Sequence, residues 1–456
     1  MRKLLRSPDS LLKYLVSAII IAVPLYPKFP FIGVPGTFVS VRGEDVLIMI
    51  SFLVWLAFFF PGIKSFFKND VFRTVTLFLV VGAISLFSAT FITHTVTPHI
   101  GVLHWLRRIE YFVPLFLGMT VIKREPGNLN FYLKIIFLVI FFAFVYGFGQ
   151  RYFSWPIIIT QNQEYSKGVA LRWMPGSHIN STFAGHYDLA TFLVLVLPVV
   201  ITSLFILKNK LVKLFLLAIW LMSLWLLVNT ASRISLVSYL VATTFSLVLI
   251  KKYKVIPVVL LISLSFIGFS SNLQERYTRI WGVVRERVFE VKIIDNLISR
   301  EIYAQVDEES LYKKDKPSPT PTPVPVFEDR SSSIRLNVEW PRAIRAFSKN
   351  PLLGTGFSSI TLATDNDYLR ALGEVGFLGL LSFSLIFITI FKEFLGVFPL
   401  QEYFNGLNLA FVSGMVAAIP GIFLNAIFID VFEASKFAII FWLFMGMAIS
   451  LITNKR

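Results

Sequence analysis

Asn350-Pro-Leu-Leu-Gly-Thr-Gly356 is followed by Thr364-Asp-Asn-Asp-Tyr-Leu-Arg-Ala-Leu-Gly-Glu-Val-Gly376, and then by an apolar run that continues to Phe391. This passage decides the fold. It is where a polar stretch of about ninety residues, beginning near Ser271, turns back into lipid-soluble sequence; connections that long are rare unless they do something. On both sides of it, apolar runs of roughly 18–22 residues recur, each long enough to cross a hydrocarbon core. About twelve spans are expected, at 11–26, 44–60, 71–92, 105–122, 130–150, 185–207, 211–229, 232–250, 254–271, 368–391, 403–424 and 434–453. The apolar stretch 211–250 is too long for one crossing and is divided at Asn229-Thr-Ala-Ser-Arg233. The expected fold class is therefore an all-α polytopic membrane protein, with a membrane domain over 1–271, one long loop over 272–365, and a second membrane domain over 366–456.

Composition agrees. The chain is 55% hydrophobic and 15% charged, where soluble domains average about 25% charged, and its mean hydropathy is +0.71. Phe occurs 47 times, which suits lipid contact, and cysteine is absent, which excludes disulfides, thiol catalysis and Cys-ligated metals. A net charge of +16 is distributed through short loops rather than gathered in one patch, so nucleic acid is not an expected partner. The run after Met1-Arg-Lys-Leu-Leu-Arg6 lacks a small-residue cleavage site and reads as a retained first helix.

With the N-terminus inside, loop lysines such as Lys68, Lys123, Lys208, Lys251 and Lys392 fall on the cytoplasmic side, as the positive-inside rule requires. The long loop, the 151–184 loop and the Ser232-Arg233 turn then lie on the extracytoplasmic side. So do all five histidines and many arginines, among them Arg108, Arg172, Arg233, Arg335, Arg342 and Arg370. Arginine collected against the charge rule suggests phosphate recognition, because its planar fork pairs bidentately with phosphate oxygens. Within the long loop, Gln274 to Glu309 is charged, residues 316–325 form a polyproline spacer, and 332–349 regains helical periodicity.

Several residues could carry chemistry, and each has a plainer reading. Asp367, Arg370 and Glu374 share one helical face, and Asp365 precedes them at the mouth. These acids read either as helix capping and interfacial solvation or as a general base at the membrane surface. Arg233 is either an arginine snorkelling at a helix end or an anion site. Arg107 with Glu110 suggests an intrahelical ion pair, leaving Arg108 over, and Arg42, Glu44 and Asp45 open the second span in similar style. His186 with Asp188 reads as a helix cap, with His186 as acid or base the alternative. Gly354-Thr-Gly356 reads as an ordinary turn. No Walker lysine loop, dinucleotide fingerprint or metal-ligand spacing is present.

In order and spacing, these parts resemble the O-antigen ligase and O-antigen polymerase superfamily of bacterial envelope enzymes. The resemblance rests on Thr230-Ala-Ser-Arg233, the long loop, Trp340-Pro-Arg-Ala-Ile-Arg345 with Asn350–Gly356, and Asn366-Asp-Tyr-Leu369 with Gly373-Glu-Val-Gly-Phe-Leu-Gly379. It implies an inverting, metal-independent glycosyltransferase of the bacterial cytoplasmic membrane, with its active site on the extracytoplasmic face. The implied donor is a polyprenyl pyrophosphate-linked glycan, the acceptor a glycan, lipid or protein, and no cofactor is expected. The resemblance places Arg233, Arg335, Arg342 and Arg108 as pyrophosphate ligands. The family's base is a histidine in a His-Asn-x-x-Leu pattern; Asp365 stands at that position here, with Asp367 or His186 as substitutes, and Arg370 and Glu374 as orienting groups. Two other readings use the same residues: a transporter or flippase that binds an anionic or lipid-linked solute without cleaving it, and a structural partner in an envelope assembly that docks through the Pro-rich loop.

Overall fold

A computed structural model describes residues 7–27, 29–33, 40–59, 67–156, 178–275, 277–278, 334–360 and 364–455. The chain is an all-α polytopic membrane protein, and each of the twelve expected spans falls on a helix. These are α1 (Pro8–Leu25), α2 (Gly43–Phe59), α3 (Asp70–Phe91), α4 (Pro98–Arg124), α5 (Asn128–Tyr152), α6 (His186–Ile206), α7 (Lys210–Asn229), α8 (Arg233–Leu249) and α9 (Ile256–Ser265). After the loop come α10 (Trp340–Lys349), which is amphipathic and not a span, then α11 (Asp367–Leu395), α12 (Gly406–Ala426) and α13 (Ser435–Thr453). Eight of the helices have at least 18 residues and are apolar enough to cross a membrane. The polyproline spacer at 316–325, Arg172 and most of the charged stretch before the spacer lie outside the described residues.

The helix starts follow local chemistry. Asn69 caps α3 by accepting from the amides of Val71 at 2.9 Å and Phe72 at 3.2 Å, and Asn209 does the same for α7. Ser232 caps α8, which is why the long apolar stretch breaks there. Two helices, α6 and α13, are apolar all round and almost wholly buried, so they form the centre of the bundle. Close approach around them is set by glycines. A Cβ at Gly118 on α4 would overlap the Leu443 carbonyl on α13, and one at Gly446 would overlap the Leu115 carbonyl in return.

The span after the loop is broken. Gly376 inside α11 has φ 69° and ψ −171°, which ends one helical ladder and starts another. The groups this break frees are taken up by the 351–356 tract. Thr355 N–H donates to Gly373 O at 2.9 Å and Gly356 N–H to Glu374 O at 2.7 Å. In return Phe377 N–H donates to Pro351 O at 2.8 Å and Leu378 N–H to Leu352 O at 3.1 Å. Gly354 faces Gly376 across this join, with φ 69°, and a Cβ on it would sit 2.5 Å from the Glu374 backbone. The glycines expected to be an ordinary turn are thus the positions where two backbones meet. The join also leans on α3, where Ser85 Oγ donates to Glu374 O at 3.2 Å, and on the turn after it, where Thr95 Oγ1 donates to Thr355 O at 2.6 Å.

Candidate active site

The half-helix between Asp367 and the break projects charged side chains toward the Ile427–Ala434 connection that joins α12 to α13. The two segments lock each other reciprocally. Asp430 accepts from the amides of Thr364 at 2.9 Å and Asn366 at 3.1 Å, and takes Arg370 Nη1 at 2.7 Å. Asp367 accepts from the amides of Val431 at 2.7 Å and Phe432 at 3.2 Å. Asn366 caps α11 by accepting from Leu369 N–H at 2.9 Å. Both buried carboxylates are therefore held by backbone donors, and Asp430 by the Arg370 guanidinium as well.

Asp365 stands just outside this lock. Its φ is +50°, which an L residue adopts only when its surroundings hold it there. Arg335 donates to it twice, from Nε at 3.0 Å and Nη2 at 2.7 Å, and both bonds fall on Oδ2. Among the described residues Oδ1 accepts no hydrogen bond. Arg335 also bonds to the Tyr187 hydroxyl, which brings the start of α6, and His186 beside it, to the same end of the bundle. Burial raises the Asp365 carboxyl above the usual carboxylate range; Arg335 pulls it down, and Asp430 pushes it up again.

Arg335 opens a π-turn, Arg335–Glu339, that leads into α10. At its other end the Glu339 carboxyl is pushed up to about 7, first by burial and then by Asp365, against the pull of Arg335. Glu339 Oε2, Trp340 Nε1 and Arg342 Nη1 are all buried without a hydrogen-bond partner among the described residues.

Deeper in the bundle, a cavity of about 50 Å³ is lined by Arg108, Tyr111, Asp367, Arg370, Glu374 and Glu433 with a wall of phenylalanines. That is room for a few waters, not for a sugar. Arg108 of α4 pairs with Glu433 and donates to Phe432 O at 3.3 Å, while Tyr111 donates to Glu433 O at 3.2 Å. Arg370 Nε lies 3.6 Å from Glu374 and 3.8 Å from Glu433. Burial opposes ionisation of Glu433, but Arg108 and Arg370 hold its carboxyl below the usual range. The guanidinium groups of Arg108, Arg335 and Arg370 thus face the carboxyls of Asp365, Asp367, Glu374, Asp430 and Glu433, three against five. Two of the arginines expected to hold pyrophosphate, Arg108 and Arg335, are already ion-paired within the chain.

The remaining expected residues lie on neighbouring elements. Arg233 is the first residue of α8, with the Tyr277 hydroxyl 3.5 Å from its carbonyl. The turn before it is fixed by a buried chain of hydrogen bonds: Ser232 to Ser235 at 2.7 Å, Ser235 to Asn425 at 3.0 Å, and Asn425 to Thr191 at 2.7 Å. His186 begins α6, its ring 4.0 Å from that of His178. Arg342 lies on α10 and acts on Glu339. Arg107 points away to a second polar group, 3.7 Å from Asp45.

Sequence reasoning overlooked Asp430, Glu433, Glu339 and Tyr187. The signal for the first two is faint. Ile427-Phe-Ile-Asp-Val-Phe-Glu-Ala434 is the connection between the last two apolar runs, and its two acids are three residues apart.

Residues 217–384 match the family model described as O-antigen ligase. The match takes in Arg233, Arg335, Arg342, Asp365, Asp367, Arg370 and Glu374, and leaves out Arg108, His186, Asp430 and Glu433. No curated protein matches the chain.

Proposed function

Over residues 217–384 the chain belongs to the O-antigen ligase superfamily, and from that premise we propose that it is a glycosyltransferase that moves a glycan from a polyprenyl pyrophosphate donor to an acceptor hydroxyl. The reaction takes place at the end of the bundle that carries the loop, which the charge rule puts outside the bacterial cytoplasmic membrane.

The observation that carries this reading is the setting of Asp365. A general base needs a free lone pair, a proton affinity nearer neutrality than that of an ordinary aspartate, and a fixed position. Asp365 is held through Oδ2 alone, its carboxyl is raised by burial, and its side chain is 24% exposed. Oδ1 takes the proton of the acceptor hydroxyl as that oxygen bonds to the anomeric carbon. The bond from that carbon to the phosphate oxygen breaks, the electron pair leaves with the polyprenyl pyrophosphate, and attack from the opposite face inverts the centre. Arg335 is the positioning residue for the base. Arg233 and Arg342 neutralise the leaving pyrophosphate in a poorly solvated site where fixed cations act strongly, without need of a metal ion. Asp367, Arg370 and Glu374, with Asp430 and Glu433, hold the half-helix that presents Asp365.

The transport reading is less well supported. Transporters use the free ends of broken helices to hold a solute. In α11 those ends are consumed by the 351–356 backbone.

The test is release of polyprenyl pyrophosphate from a lipid-linked oligosaccharide by the purified protein in nanodiscs containing EDTA. The parent should release it, and Arg233→Ala should release it on the order of a hundredfold more slowly, as expected for loss of one donor to developing charge. Donor that binds or crosses the bilayer without cleavage would move the reading to transport.

A further inference from the structure

We propose that the cavity at the end of the bundle opposite Asp365 binds the headgroup of an anionic phospholipid. Helices α5, α7 and α12 all begin here and run toward the loop end, so three positive helix ends converge on one space. That space is about 640 Å³. Lys134 and Lys208 line it with Asn130 and Asn408, and no Asp or Glu does. Neither lysine has an ion-pair partner among the described residues. The first turns of α5 and α12 lack side-chain caps, so at α12 the amides at the helix start receive nothing from a capping group.

The occupant follows from the rest of the wall. Phe137 and Phe215 flank the polar groups, and Phe215 is 46% exposed on a lipid-facing helix. A free phosphate ion has no use for an aromatic wall, and a soluble polyanion has no use for a site at the level where spans enter the membrane. A glycerophospholipid with a net negative headgroup uses both halves: its phosphate meets the lysines and the uncapped start of α12, and its acyl chains lie along Phe215. Basic pockets between spans are the known chemistry of such contacts. The site is one helix length, about 30 Å, from the proposed chemistry, so it holds the protein in its bilayer rather than feeding the reaction.

The test is native mass spectrometry of the full-length protein in detergent, titrated separately with phosphatidylglycerol, phosphatidylcholine and inorganic phosphate. Two variants separate charge from cavity. Lys134→Gln with Lys208→Gln removes the cations. Gly127→Phe intrudes on the space beside the lysines, because a Cβ at Gly127 meets nothing within 4 Å and its φ of −62° suits any residue. All three positions are exposed, so the fold should survive, and the melting temperature of each variant without lipid checks this. The expected result is tighter retention of phosphatidylglycerol than of phosphatidylcholine, no retained phosphate, and retention of phosphatidylglycerol weakened on the order of tenfold in both variants. Equal retention of the two lipids would overturn the proposal. So would binding of phosphate alone, or a Gly127→Phe protein that keeps phosphatidylglycerol while the lysine variant loses it, since that pattern is general surface attraction.

Discussion

A carboxylate works better as a general base when its surroundings raise its proton affinity, and Asp365, the proposed base, has such surroundings. Burial raises it and Arg335 restrains it. Arg335→Ala removes the restraint, so the carboxyl should hold its proton to higher pH. A base must be deprotonated to act, so the acid limb of the pH–rate profile should move upward in pH; an unmoved limb would show that Arg335 does not act through Asp365. Glu339 gives a second pH signature. Its carboxyl is raised from its ordinary 4.5 to about 7, so between those values the folded protein keeps a proton that the unfolded chain has lost. Stability from this group therefore falls as pH rises from about 4.5 to about 7. Glu339→Gln should flatten that part of the melting-temperature curve, and a variant curve parallel to the parent's would contradict it. Asp365 was legible because the quoted tract places it at the junction of loop and span. Glu339 was not, because the two carboxylates that raise it, Asp365 and Asp430, are brought in from distant sequence, and because it sits on a π-turn that no spacing announces.

At the scale of elements, the helices at the twelve apolar runs, eight of them long and apolar enough to cross a membrane, were legible because lipid demands continuous apolar runs, and the boundary at Asn229–Arg233 because a polar turn interrupts one. The break in α11 was not legible. Gly354 and Gly376 look like separate turn glycines in sequence and meet only when two backbones dock. Gly376→Ala should cost about 2 kcal/mol or more, since it combines a disfavoured φ with a collision against the Leu352 carbonyl. Thermal melting in detergent measures this; a variant as stable as the parent would mean the join tolerates a side chain. The acidic connection was also hidden, since two acids in a short turn carry no pattern. Asp430→Ala leaves Arg370 and two amides without their acceptor and should destabilise by about 3–5 kcal/mol. Asp430→Asn, which keeps an acceptor oxygen, should lose less, and equal losses would argue against a hydrogen-bonded clamp.

Across the whole molecule, the two ends differ: a largely buried cluster of arginines and carboxyls lies at the loop end, and Lys134 and Lys208 line the cavity at the other. Sidedness follows from this difference, and the absence of cysteine makes it simple to test. Lys349→Cys should react with a membrane-impermeant maleimide in intact cells, and Lys210→Cys only after permeabilisation; the reverse pattern would place the proposed chemistry in the cytoplasm. Turnover by the assembled enzyme is the most direct probe of the base. In nanodiscs with saturating lipid-linked oligosaccharide and acceptor, Asp365→Asn should lower the rate of polyprenyl pyrophosphate release by about 10²–10⁴-fold, the usual worth of a general base, with donor binding intact and Asp365→Glu retaining part of the rate. Parental rates from Asp365→Asn would contradict Asp365 as the base.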